Sequence, residues 1–285
     1  MKNQFEIAMG TITGSSHLAP LLWRNNQDAI SVLMSDDAII AVVADGCSSS
    51  VHSEAGAQIF SNMLTRKIRT ALVQASQTMA CEGDEIFFQA ILAEVKDDLL
   101  AEMRILAHGM GDNFRRVIND YFLFTLAGAI ITKGLTCVFS LGDAVFFIND
   151  EKITSGPYPE NKPPYLAYGL IPTEIPAELV KFQILGIKPT NEVQHLLLGT
   201  DGAQDLISGA DKNLPGTNQK LGGIDQFWFQ DRYFKNPDIV RRRLALANKA
   251  TNDESALLPD DTTIIIVRRK KGGEANDASN SGEKR

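Results

Sequence analysis

The sequence predicts a mixed α+β protein built on antiparallel sheet, and three observations lead there. Apolar, β-branched runs end on acidic residues (IIAVVADG, VFSLGDA, HLLLGTDG) or start from them (PDDTTIIIV). Two long stretches carry apolar side chains at helical spacing. Strand-like runs follow one another across turn dipeptides such as Lys133-Gly134 and Asn149-Asp150.

Taken in order, Phe5 to Ile12, Ala29 to Leu33 and Ala38 to Ala44 read as strands, the last fully apolar and stopping at Asp45-Gly46. Ser53 then opens a helix to about Ala75, with its hydroxyl as the expected cap. A second amphipathic helix, Asp84 to Ala107, aligns Ile86, Phe87, Ala90, Ile91, Val95, Leu99 and Met103 on one face. Tyr121 to Thr132, Thr136 to Leu141 and Val145 to Ile148 read as an antiparallel meander. The prolines between Thr154 and Pro176 deny that stretch a regular ladder and make it a long loop or flap of the kind that borders active sites. Strand His195 to Gly199 leads through Thr200-Asp201-Gly202 into a short helix ending near Ile207; Pro237 to Lys249 gives a further helix, and Thr262 to Arg268 the last strand. One domain, 1–268, is expected, because the acidic motifs span the chain and must converge; the polar tail 269–285 has too little apolar surface to fold.

The chain has 285 residues, 44% of them hydrophobic, and a formal net charge of −7. That acidity argues against nucleic acid or an anionic membrane surface as partner, since neither gains by releasing counterions to an acidic protein. Cys47, Cys81 and Cys137 are odd in number and lack CxxC spacing, which fits neither a disulfide framework nor a zinc knuckle and points to the reducing cytoplasm. No leader-like or membrane-spanning apolar run is expected.

Strands that end or begin on acids deliver Asp45, Asp143, Asp201, Asp260 and Asp261 to the rim of a sheet. Like charges gathered there repel and are costly to desolvate unless a cation offsets them, so the pattern predicts a metal site. Oxygen donors suit hard ions such as Mg²⁺ and Mn²⁺. The four histidines, His17, His52, His108 and His195, lack the HxxxH spacing of a zinc protease. With no side chain on Gly46, its carbonyl can turn toward one ion while Asp45 bridges two, and a pair of ions can acidify a shared water and hold a phosphoryl oxygen for attack. Each Asp-Gly alone is a common turn dipeptide. The order of the motifs is what raises the odds.

That order, Asn26-Gln27-Asp28-Ala29, VVADG at 42–46, Ser53-Glu54-x-Gly56-Ala57, Leu141-Gly142-Asp143-Ala144, LLLGTDG at 196–202 and Asp260-Asp261-x-Thr263, resembles the type-2C metal-dependent protein serine/threonine phosphatases, over about residues 8–268. Gly14-Ser15-Ser16-His17 with NQDA downstream is most similar to a bacterial branch. The resemblance implies a two-sheet antiparallel β-sandwich flanked by helix pairs, four layers in the order α-β-β-α, and a dinuclear Mn²⁺ or Mg²⁺ centre. It implies that Asp45 bridges two metals, Gly46 gives its carbonyl to one, Asp201 and Asp260 complete the other, Asp28 holds metal-bound waters, and Asp143 serves a third, weaker site. Asp261 stands where the family often has asparagine and is expected to act behind the ligands.

Two positions depart from the family pattern. Gln27 replaces a common glutamate, and Arg24 lies one residue closer to Asp28 than the phosphate-binding arginine usually does, which in a strand turns the side chain to the other face unless a bulge intervenes. His17 is the alternative phosphate contact or general acid. His52 is expected beside the helix cap, and Cys47 as a small buried thiol whose acidic surroundings raise its pKa. The implied reaction is metal-dependent hydrolysis of phosphoserine or phosphothreonine in a protein substrate, opposite a serine/threonine kinase. The departures motivate one alternative, a catalytically weak relative acting as a binding or regulatory module.

Overall fold

The structure, a computed structural model, describes all residues except 19–23, 79–83, 157, 250–255 and 272–285. Its strands are β1 (Phe5–Ile12), β2 (Ala29–Met34) and β3 (Ala38–Gly46), followed by helices α1 (Ser53–Thr78), α2 (Glu85–Met110) and α3 (Phe114–Tyr121). Next come β4 (Phe124–Thr132), β5 (Leu135–Leu141), β6 (Ala144–Ile148), β7 (Glu151–Ser155), β8 (Gln183–Pro189) and β9 (His195–Gly199). The short helices α4 (Ala203–Ser208), α5 (Gln226–Phe229), α6 (Arg232–Lys235) and α7 (Ile239–Ala247) precede β10 (Thr262–Arg269). One five-stranded sheet runs β1-β10-β9-β6-β7 and the other β2-β3-β4-β5-β8, and their strand pairs are antiparallel.

The alternation of side chains along each strand builds the layers. On β3, Ile39, Ala41 and Val43 face Phe146, Leu198 and Ile265 of the opposite sheet in the central core. Ile40, Val42 and Ala44 face outward onto Phe60, Leu64 and Leu99 of α1 and α2. The far side of the first sheet is covered by α4–α7, where Leu197, Ile264 and Ile266 meet Trp228, Tyr233 and Leu244. The four-layer α-β-β-α order therefore holds, with two long helices on one side and four short ones on the other.

Several sequence readings change. The meander is split: β4 pairs with β5, but β5 pairs onward with β8 while β6 pairs with β7 and β9 in the other sheet. The switch falls at Gly142, whose φ of +101° few side chains tolerate, and whose carbonyl accepts a 2.7 Å hydrogen bond from Ser155 Oγ. Tyr121 ends helix α3 instead of opening a strand: Asn113 caps the start of that helix by accepting from Arg116 N at 3.0 Å, and Phe122 N closes its last turn on Ile118 O at 2.9 Å. Asp84 caps α2 by accepting from Phe87 N at 2.8 Å. Ser53 opens α1, but its hydroxyl donates to Cys47 O at 3.1 Å, tying the helix to the loop after Gly46. Arg269 is not tail: it closes β10, donating to Thr190 O at 2.5 Å and Val193 O at 3.2 Å, and Lys270 and Lys271 bond Lys2 O and Asp231. The rest of the proposed tail, with Cys81 and Pro157, lies outside the described residues. Among the described residues no helix is long and apolar enough to cross a membrane.

Candidate metal centre

Strand direction and parity bring the acids together. β2 begins, β3 ends, β9 ends and β10 begins at the same rim, since each is antiparallel to its neighbour. Counting by twos from the central core, Ile30 leads to Asp28, Val43 to Asp45, Leu198 to Thr200 and Ile265 to Thr263 and Asp261. Asp143 arrives on the β5–β6 corner and Asp201 on the turn into α4. Two cavities open from this rim: one of about 690 Å³, the other of about 310 Å³. Asp143, Asp201, Asp260 and Ser48 line both, and Asp45 and Gly46 line the smaller.

The carboxylates are mutually uncompensated. Burial, then the charges of Asp28, Asp201, Asp143 and Asp260, hold the Asp45 carboxyl well above the ordinary carboxylate range. Asp28 is raised by burial and by Asp261 and Asp201, against the pull of a 2.9 Å hydrogen bond from Thr200 Oγ1 to its Oδ2. Burial with Asp143 and Asp260 pushes Asp201 up to about 6, and burial raises Asp143. Oδ1 of Asp28 and Oδ1 of Asp143 are buried without a hydrogen-bond partner. Buried oxygens of this kind are costly unless something positive meets them. Among the described residues no three His, Cys, Asp or Glu side chains close into a compact shell around one point. Asp143, Asp201 and Asp260 face two cavities instead, and oxygen donors with room for water are the chemistry that Mg²⁺ and Mn²⁺ accept.

Gly46 is fixed by close approach: a Cβ there would stand 2.6 Å from Ser53 Oγ and 2.7 Å from Gln27 O. Gln27 is buried, and its amide donates to Ser53 Oγ at 2.6 Å and Cys47 O at 3.3 Å. It thus braces the metal loop where a glutamate could only accept. Asp261 is the organiser that the sequence undervalued. Its Oδ1 accepts from Gly14 N at 2.7 Å and meets His17 Nδ1 at 3.0 Å, while its Oδ2 accepts from Gln27 N at 2.6 Å. His17 lines the larger cavity, with Nε2 3.8 Å from Asp260 Oδ1. Arg24 is half-buried and joins His17 through its backbone (Arg24 N to His17 O, 3.0 Å), but is not among the residues lining either cavity.

The flap expected to border the site does so through Pro163 and Tyr165, whereas the sequence does not single out Thr200 or Ser48. Thr200 carried a signal, its place directly before Asp201; Ser48 sits in a small-residue loop that encodes no orientation. Cys47 corrects its reading. It is half-buried, and although burial pushes its thiol up, hydrogen bonding to Ser49 and Tyr165 outweighs burial and leaves it below the ordinary value. His52 is half-exposed beside the start of α1, its ring 5.0 Å from that of Tyr121.

The antiparallel sandwich gathers at its rim carboxylates of the kind that bind hard metal ions. The sequence profile of the protein phosphatase 2C family matches residues 13–234, and the chain belongs to that family of metal-dependent serine/threonine protein phosphatases, which use Mn²⁺ or Mg²⁺. Among solved structures it is similar to serine-threonine phosphatase 2C from Toxoplasma gondii (TM-score 0.58, 14% identity, 94% of this chain and 95% of that one). It is also similar to a variant of a bacterial serine phosphatase (TM-score 0.53, 16% identity, 93% and 98%). At such identities the likeness establishes the fold. No curated protein matches by sequence.

Proposed function

We propose that Asp45, the Gly46 carbonyl, Asp201 and Asp260 hold a pair of Mn²⁺ or Mg²⁺ ions, with Asp45 between them and Asp143 offering a third position, and that this centre hydrolyses phosphoserine and phosphothreonine in proteins. The observation that carries the assignment is the mutual charge at the rim: acids from separate strand ends raise one another's pKa, and no lysine or arginine offsets the shift of Asp45 or Asp201. When bound, the ions would acidify a shared water and neutralise charge on the phosphoryl oxygens.

The chain's own residues then have distinct tasks. Asp28, fixed by Thr200 through Oδ2, presents its free Oδ1 as an acceptor that orients water. Asp261 takes His17 Nδ1 and leaves Nε2 toward the larger cavity, placed to give a proton to the departing serine or threonine oxygen. Arg24, on the same segment, is proposed as a phosphate-contacting cation. The weak-module alternative draws support from Gln27, whose amide serves the loop, and from Arg24, which lines neither cavity.

Free Cys47 and Cys137 support a cytoplasmic site of action in signalling, opposite a serine/threonine kinase or on its targets. The net charge of −7 supports a partner other than nucleic acid or an anionic membrane. The test is Mn²⁺-dependent release of phosphate from p-nitrophenyl phosphate and a phosphothreonine peptide. Activity abolished by EDTA and by Asp45→Asn or Asp201→Asn is expected; full activity in both variants would overturn the assignment.

A further inference from the structure

The larger cavity runs beyond the carboxylates onto the outer face of the first sheet. Val145 and Phe147 of β6 pair with Thr154 and Lys152 of β7, so these four side chains share that face. Helices α4, α5 and α7 pack over β10 and β1, while β7 is the sheet's edge strand and its Lys152 and Thr154 are exposed. Val145 and Phe147 are buried, Phe147 with its ring 5.5 Å from that of Trp228, and a groove runs between α4 and the exposed side chains of β7. Ala144, Val145, Lys152 and Thr154 line it together with Gln204 and Asp205 of α4, and Asp201 and Asp260 lie at its metal end.

Among the described residues, Lys152 is the only lysine or arginine in those walls. Its Nζ donates to Gln204 Oε1 at 2.7 Å, a neutral partner that uses one of three ammonium hydrogens. Among the described residues it has no carboxylate within ion-pair distance, and neighbouring Glu151 pairs with Lys188 instead, at 2.6 Å. Asp205 in the same wall does not neutralise it: burial and Asp260 raise that carboxyl, and the cation acting on it is Lys212. Gln204 follows Asp201 by less than one helical turn, so the ammonium is moored close to the phosphate site.

We propose that this groove is a substrate subsite in which Lys152, held by Gln204, takes the carboxylate of an aspartate or glutamate flanking the phosphorylated residue. The inference deepens the phosphatase reading and rests on it. The smaller cavity leaves the same carboxylates past Pro163, Tyr165 and Tyr168, which gives an extended chain an exit on the other side. That exit also carries Lys162, but its ammonium is already paired with Glu160, so Lys152 is the cation left open to a peptide carboxylate.

The test uses the Mn²⁺-loaded full chain and phosphoserine peptides that differ only in glutamate, alanine or lysine on either side of the phosphoserine. The readout is the ratio of kcat/KM values, in which any general loss of activity cancels. Native protein is expected to favour the glutamate over the lysine peptide by about fivefold, the scale of a partly exposed ion pair. Lys152→Gln should bring the ratio near one, and Lys152→Glu should invert it. Equal rates for the three peptides with native protein, or a preference unchanged in Lys152→Glu, would overturn the subsite and leave the phosphatase reading intact. No hydrolysis of any peptide would overturn both.

Discussion

Two acidic clusters in this molecule are built on opposite electrostatic plans. Near the end of β10, Glu6 and Asp231 meet Arg268, whose guanidinium bonds Glu6 Oε1 at 2.6 Å and Asp231 Oδ1 at 2.9 Å and lies 3.9 Å over the Phe234 ring; Lys271 adds a second cation. Hydrogen bonds to Lys271 and Arg268 hold Asp231 below the ordinary carboxylate range. At the metal rim, Asp28, Asp45 and Asp201 stand above it, raised by burial and by one another. Acids that only stabilise the fold bring their own cations. Those at the rim leave the charge to be met from outside.

The largest expected effect comes from breaking the rim. Asp45→Asn or Asp201→Asn should lower kcat by at least about 10²–10³, the scale of losing one preorganised electrostatic contact, while raising the melting temperature of the metal-free protein because a repelled charge is gone. Lower activity with lower metal-free stability would mean that the acids are structural after all. At the other cluster, Arg268→Ala should lower the denaturant midpoint, because it removes the cation that Glu6 and Asp231 share and its packing on Phe234, and leave Mn²⁺ affinity unchanged.

The clusters also predict opposite pH responses. For an acid raised in the fold, the native state keeps protons that the unfolded chain has shed, so stability falls as pH rises from the ordinary 3.8 toward about 6, the value for Asp201. For Asp231, lowered in the fold, stabilisation is present above 3.8 and is lost as pH falls through its depressed value. Calorimetric scans should therefore show chelated protein melting higher at pH 5 than at pH 7. Saturating Mn²⁺ should reverse the order, since the ions bind the deprotonated acids. Two smaller effects sharpen the assignment within the rim. His17→Asn should reduce kcat on a phosphoserine peptide by about 10–10²-fold, less on p-nitrophenyl phosphate, whose leaving group needs no proton. Arg24→Ala should raise KM by about tenfold or less, with kcat little changed.

Much of this was legible in the amino-acid order, for reasons tied to particular residues. β1 and β9 lie where the apolar runs placed them, because Phe5–Ile12 and His195–Gly199 are bounded by turn residues, β9 with a ladder on both sides and β1 paired along its whole length with β10. β8, Gln183–Pro189, was hidden by its glycine, lysine and proline, and its place at the sheet edge tolerates all three. β7 was hidden because an edge strand with one exposed face carries few apolar residues. The change of sheet at Gly142 follows from one backbone angle that no hydrophobic pattern encodes. The acids Asp45, Asp143, Asp201 and Asp260 were readable because each ends or begins a strand. The three-way role of Asp261 and the bracing amide of Gln27 depend on contacts across more than two hundred residues and across the metal loop, which spacing along the chain does not register.

Titration calorimetry of Mn²⁺ into chelator-stripped protein at pH 7, native against Asp45→Asn, tests the central claim most directly. Native protein should bind two or more ions, and the variant should lose at least one site because a carboxylate proposed to hold them is gone. Folded native protein that takes up no Mn²⁺, or an Asp45→Asn variant with unchanged stoichiometry and affinity, would contradict it.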